Sequence, residues 1–134
     1  MQLLKWSADL ELGFELIDNQ HKLLINMINE LSIALTYVQP NSVLLSLVDR
    51  LQAYADSHFK AEEALFTTFE YSGRTEHIAD HASFIDSIKY IRRQCELIDS
   101  PMSARIRDFL LNWLVNHIKT KDLEYKSFID KSTV

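Results

Sequence analysis

Apolar side chains recur along most of this chain at alternating steps of four and three residues. That spacing lays them on one face of an α-helix, the seam of a helix packed in a bundle. The first run is Ile17, His21, Leu24, Ile28, Leu31, Leu35 and Val38. It stops at Gln39-Pro40-Asn41, where Pro40 breaks the helix and Asn41 can cap the next. The second run is Leu44, Val48, Leu51, Ala55, His58, Glu62, Leu65 and Phe69, with Gly73 as the stop signal. The third is His77, His81, Phe84, Ile88, Ile91, Cys95 and Ile98. The fourth opens after Pro101 with Ile106, Leu110, Trp113 and His117. Two glycines and two prolines in 134 residues leave few connections, and short ones. The spacing therefore predicts an all-α chain: an antiparallel, up-down-up-down four-helix bundle in a single domain over 1–134, with helices at about 18–38, 42–70, 75–98 and 102–130. Residues 1–16 lack the repeat and are expected to form an extended arm held down by Trp6 and Phe14.

The seams carry an unusual cargo. All five histidines, His21, His58, His77, His81 and His117, fall on them, and so does Glu62. One histidine on an apolar face is most often a satisfied core residue. Five of them beside a carboxylate would each need a separate partner, because a buried polar group without one costs a few kcal/mol. The fourth run also loses its phase. After His117 the regular count places Thr120 or Lys121 inside, then Glu124, which is a poor core. One added residue restores the stripe as Asp122, Tyr125 and Ile129. Positions five apart stand about 140° out of register on a straight α-helix. A single wide π turn would bring Asp122 round to the His117 face.

Composition excludes several uses of such a chain. A net charge of -5 disfavours nucleic acid and anionic membrane surfaces, which reward clustered Lys and Arg. No stretch reaches the ~18 consecutive apolar residues of a membrane span. A single cysteine, and charges at Lys5, Asp9, Glu11 and Glu15 where a leader would be apolar, give the expectation of a reduced, cytoplasmic protein. Cys95 lies several turns from His81 and no seam serine neighbours a histidine, so nucleophilic catalysis fits badly. A metal cluster supplies one partner for all seven polar groups. Seven ligands exceed one zinc, and calcium or magnesium would prefer oxygen. Imidazole with carboxylate suits iron, copper, nickel and zinc. Two irons joined by Glu62, Asp122 and a solvent-derived oxygen would share five histidines as three and two. One iron then keeps an open position in an apolar pocket, suited to a small diatomic molecule.

The stretches "WSADLELGFELIDNQHKLL", "HFKAEE", "HIADH" and "WLVNHIKTKDLEY" resemble the hemerythrins in order and spacing, most of all the single-domain bacterial type. The resemblance covers nearly the whole chain. It implies that His77, His81 and His117 hold a six-coordinate iron and His21 and His58 a five-coordinate one, with Glu62 and Asp122 bridging. It implies two iron ions cycling between Fe2+ and Fe3+ with an oxo or hydroxo bridge, and a dioxygen pocket lined by Phe59, Trp113, Leu114 and Ile118. Phe66 and Ser72 depart from the methionine and proline common among bacterial relatives; neither position is a ligand. The function so implied is reversible dioxygen binding, for carriage, storage or sensing, rather than enzymatic turnover. Two alternatives stay open: a di-iron enzyme acting on peroxide, nitric oxide or dioxygen, and a sensory module that signals through a separate protein partner. The first is disfavoured by the absence of any Glu-x-x-His pair. Among lesser features, Asp18 resembles a helix cap, Tyr125 can reach the Asp122 carboxylate, and Lys89–Arg93 reads as a solvated face.

Overall fold

A computed structural model describes residues 3–37, 39–97 and 104–132; Val38, Ile98 and Pro101 lie outside these, as do the side chains of Leu35, Cys95 and Ile106. The chain forms α1 (Glu15–Thr36), α2 (Asn41–Thr68), α3 (Arg74–Leu97) and α4 (Ala104–His117). A π-helical turn at Ile118–Asp122 then leads into α5 (Leu123–Ser132) without leaving helical backbone angles. Helices α4 and α5 are thus one rod with a wide turn in it. No strand occurs among the described residues, and none of their helices is long and apolar enough to cross a membrane.

Side-chain pairs fix the directions. Glu30 meets Arg50 while Gln20 meets His58, so α1 and α2 run antiparallel. Asp49 with Arg92 and Glu63 with His81 do the same for α2 and α3. Phe84 stacks on Trp113 and Asp80 bonds His117, which orients α3 against the last rod. His21 approaches Asp122 while Phe14 approaches Tyr125, which closes the ring with α1. The architecture is the expected up-down-up-down bundle with an extended N-terminal region.

The seams point inward. Ile17, Leu24, Ile28, Leu31, Leu44, Val48, Leu51, Ala55, Phe84, Ile88 and Leu110 are all buried, each large aliphatic one contributing about 1.5–3 kcal/mol. On α2 the stripe departs from the expected count. Leu65 and Phe69 are half-buried and Phe66 is fully buried, because strides of four from His58 through Glu62 continue to Phe66. On α4, Leu114 takes the inner position and Trp113 stands half-buried beside it.

Local signals differ from expectation at three places. Asn41 is the first residue of α2 rather than its cap; the Pro40 carbonyl accepts from the Val43 and Leu44 amides. The left-handed residue after α2 is Glu70 (φ 51°), and Gly73 is required for a different reason: a Cβ there would stand 2.6 Å from the Tyr71 hydroxyl. Asp18 lies inside α1, not at its start. Its carboxylate accepts from the Leu12 and Gly13 amides at 2.9 and 3.1 Å and pins the arm back onto the helix. Leu10 and Leu12 are the arm's buried anchors, with Trp6 and Phe14 packed beside them.

Candidate metal centre

The seven polar seam residues meet in the bundle interior, with α1 supplying His21, α2 His58 and Glu62, α3 His77 and His81, α4 His117 and the π turn Asp122. Strides of four, His58 to Glu62 and His77 to His81, stack two groups on one face of α2 and of α3. The wide turn does the same for His117 and Asp122, whose Nε2 and Oδ1 atoms lie 3.1 Å apart. All seven side chains are buried, none more than 2% exposed.

Their ligand atoms form two overlapping groups. Glu62, His77, His81, His117 and Asp122 make one, and His21, His58 and Glu62 the other. The carboxylates lie between the groups. Glu62 Oε1 is 2.8 Å from His58 Nε2 and 3.6 Å from His81 Nε2. Asp122 is 3.1 Å from His21 Nε2 through one oxygen and 2.8 Å from His77 Nε2 through the other. His117 Nε2 is 3.1 Å from His77 Nε2 and 3.2 Å from His81 Nε2.

These contacts are short, yet His21 Nε2 and both oxygens of Glu62 and Asp122 make no hydrogen bond of ordinary geometry. His81 and His117 donate Nδ1–H outward, to Glu63 at 2.9 Å and to Asp80. In a neutral imidazole so bonded, Nε2 carries the lone pair. Lone pairs facing one another in a dry core are unfavourable until a cation stands among them, and imidazole plus carboxylate is a donor set for a transition metal. The cluster is therefore able to bind two metal ions.

Electrostatics set which imidazoles are neutral. Burial, then the neighbouring imidazoles, pushes His58 down to about 3 and His81 to about 2, so both are neutral and ready to ligate. Burial also lowers His77. It pushes His117 down too, but Asp122 and Asp80 outweigh it and raise that group to about 9. Burial, with Asp122 next, lifts Glu62 well above the carboxylate range. Burial would raise Asp122, yet the surrounding histidines, His117 foremost, hold it well below.

Aromatic rings wall the cluster. Phe59 stacks on His81 at 3.9 Å and Trp113 on His117 at 4.6 Å. Leu114 and Ile118, on either side of His117 in the sequence, are buried at 1% and 0% exposure. Phe66 lies 4.5 Å from His77 and 4.9 Å from Tyr125, whose hydroxyl is buried without a hydrogen bond. Sequence reasoning missed Gln20, Glu63 and Asp80, which hold imidazole Nδ1 atoms of His58, His81 and His117. The only signal was adjacency: each stands next to a cluster residue in the chain.

Comparison with known proteins gives consistent results. The model of the family described as Hemerythrin HHE cation binding domain matches residues 12–129. The chain is 34% identical over 125 residues to the bacteriohemerythrin of Stenotrophomonas maltophilia, covering 93% of this chain and 80% of that one. To the bacteriohemerythrin of Clostridium acetobutylicum it is 29% identical over 124 residues, 90% and 96% of the two chains. The crystal structure of a wild-type hemerythrin matches with a TM-score of 0.86 at 25% identity, over 94% of this chain and 97% of that one.

Proposed function

This chain belongs to the hemerythrin family, in its bacteriohemerythrin subtype, and on that premise we propose that it binds dioxygen reversibly at a non-haem di-iron centre. His77, His81 and His117 would hold one iron and His21 and His58 the other, with Glu62 and Asp122 as the carboxylates shared between them. The observation that carries the reading is the convergence of five buried imidazoles and two buried carboxylates on one place, with no histidine spent elsewhere in the chain. Iron bound there would supply the electrons and the binding position that dioxygen needs.

The protein's own groups have two tasks. Gln20, Glu63 and Asp80 orient three of the imidazoles, so that Nε2 faces the centre and Nδ1 does not. Phe59, Leu114 and Ile118 are buried against the cluster, with Trp113 beside them, and they exclude water. The four pocket side chains carry no carboxyl or imidazole that could act as a general acid toward a bound diatomic, which favours binding and release over turnover.

The deciding experiment is anaerobic reduction of the iron-loaded protein, then admission of air, followed in the visible spectrum. A coloured form that persists and reverses when dioxygen is removed is the expected result. Immediate bleaching with catalytic consumption of dioxygen, peroxide or nitric oxide would instead make this a di-iron enzyme.

A further inference from the structure

The three outer hydrogen bonds follow one rule. Gln20, next to His21 on α1, accepts from His58 Nδ1 on α2 at 2.6 Å. Glu63, next to Glu62 on α2, accepts from His81 Nδ1 on α3 at 2.9 Å. Asp80, next to His81 on α3, accepts from His117 Nδ1 on α4. Each residue flanks a cluster member on its own helix and grips an imidazole on the next. His21 and His77 have no such partner, and their Nδ1 atoms are buried without a hydrogen bond.

The ring is uneven in charge. Both carboxylates serve the group of His77, His81 and His117, and the neutral amide serves the group of His21 and His58. A carboxylate accepting Nδ1–H makes the imidazole a more basic ligand at Nε2, and a more basic ligand favours the more highly charged ion. An amide oxygen does so less. Glu63 and Asp80 are themselves 30% and 31% exposed, while the imidazoles they hold are 2% exposed. Their geometry is better explained by what they do to the imidazoles.

We propose that Glu63 and Asp80 are positioning residues that make the three-histidine half of the site the tighter and more oxidation-prone half. Gln20 keeps the two-histidine half the less electron-rich one, where a ligand exchanges. The proposal rests on the reading that two metal ions occupy the cluster.

The test uses the full chain and its Asp80→Asn, Glu63→Gln and Gln20→Glu variants. Metal-free protein is titrated anaerobically with Co2+, and the iron-loaded protein is poised at a series of potentials. Wild type takes two equivalents of Co2+, one tighter. Asp80→Asn and Glu63→Gln each weaken the tighter equivalent about 10–100-fold and leave the weaker one unmoved. Gln20→Glu tightens the weaker one. In the iron protein, each lost carboxylate lowers the ferric-to-ferrous ratio at fixed potential about tenfold, a shift of about 59 mV for one electron. Gln20→Glu moves it the other way. A merely structural role would weaken both equivalents together and could not move the potential in opposite directions. Wild-type affinities and potentials in folded Asp80→Asn and Glu63→Gln overturn the proposal alone. A wild type that takes up fewer than two Co2+ ions overturns it together with the two-metal reading, so the two failures are distinct.

Discussion

His117 and Asp122 are five residues apart on one rod, yet His117 Nε2 lies 3.1 Å from Asp122 Oδ1. In α geometry the residue that returns to a given face is the fourth; in a π turn it is the fifth. The turn at Ile118–Asp122 therefore absorbs one residue without rotating anything beyond it, which is why Tyr125 and Ile129 remain buried.

Deleting the exposed Lys119 should convert this turn to α geometry and leave Asp122, Tyr125 and Ile129 on their present face. The helical circular dichroism should stay near wild type, with a loss of about 1 kcal/mol or less, a few degrees of melting temperature. Deleting the equally exposed Asn112 from the regular part of α4 turns everything after it by about 100° and should abolish folding and iron uptake together. Equal failure of the two deletions would mean that the wide turn is not accommodating an extra residue.

Removing a bridging or terminal ligand should cost iron and stability at once. Glu62→Ala or His58→Ala leaves the facing imidazoles and Asp122 without their partner in a buried site, a loss of about 3–5 kcal/mol. Iron per chain and the urea midpoint are the readouts. A well-folded Glu62→Ala protein with its full iron would show that this carboxylate does not bridge.

Leu114 is 1% exposed and sits one turn before His117 on the same face. Leu114→Ala should admit water and speed oxidation to the diferric form at unchanged iron content. The cavity it leaves should cost about 2–5 kcal/mol. A phenylalanine there should slow dioxygen binding in stopped flow. Wild-type oxidation rates in the alanine variant would place the water barrier elsewhere.

The chelated, metal-free protein should have an asymmetric pH profile. His58 and His81 are depressed to about 3 and about 2 from 6.5, so on acidification the unfolded chain takes up protons first. Their contribution is complete above pH 6.5 and is lost as pH falls toward those values, at up to about 2.7 kcal/mol per unit for the two groups. His117 is raised to about 9; its contribution is complete below 6.5 and is lost as pH rises through 9. Glu62 is shifted up from 4.5, so its contribution is complete below that pH and is lost as pH rises; Asp122 is shifted down from 3.8, so its contribution is lost only as pH falls below that value. Thermal melts should peak near pH 6.5, fall on both sides and fall most steeply below pH 4.5, where Glu62 no longer offsets the two histidines, and iron should raise the whole curve. Melts that do not fall between pH 4.5 and 3 would show that the two neutral imidazoles are not buried in the folded metal-free state.

Periodicity made the bundle and the inward set readable, because both depend only on which face of a helix a residue occupies. The lost phase after His117 was readable for the same reason, and it pointed at the π turn. What periodicity cannot show is a bond between helices made by a residue off the seam. Gln20, Glu63 and Asp80 flank the stripe, and whether each reaches a neighbouring imidazole depends on how the helices are rotated and spaced. Phe66 displaced Leu65 because the helix kept strides of four past Glu62, where the sequence offered apolar residues at both steps. Asp18 had the chemistry of a cap, but its oxygens found arm amides that only the folded-back chain brings near.

The contacts of Asp122 also set an order of events. It touches His21, which stands 101 residues earlier in the chain (122 − 21), and the remaining members come from helices in between. No single helix hairpin contains the set, so a growing or half-folded chain has nowhere to hold the pair of ions. Closing the longest of these loops should be the slow, late step. Metal then meets a finished bundle whose ligands show at most 2% of their surface, and it must wait for a local opening to enter or leave. Loading should be slow, and once made the centre should exchange its ions far more slowly than its gaseous ligand.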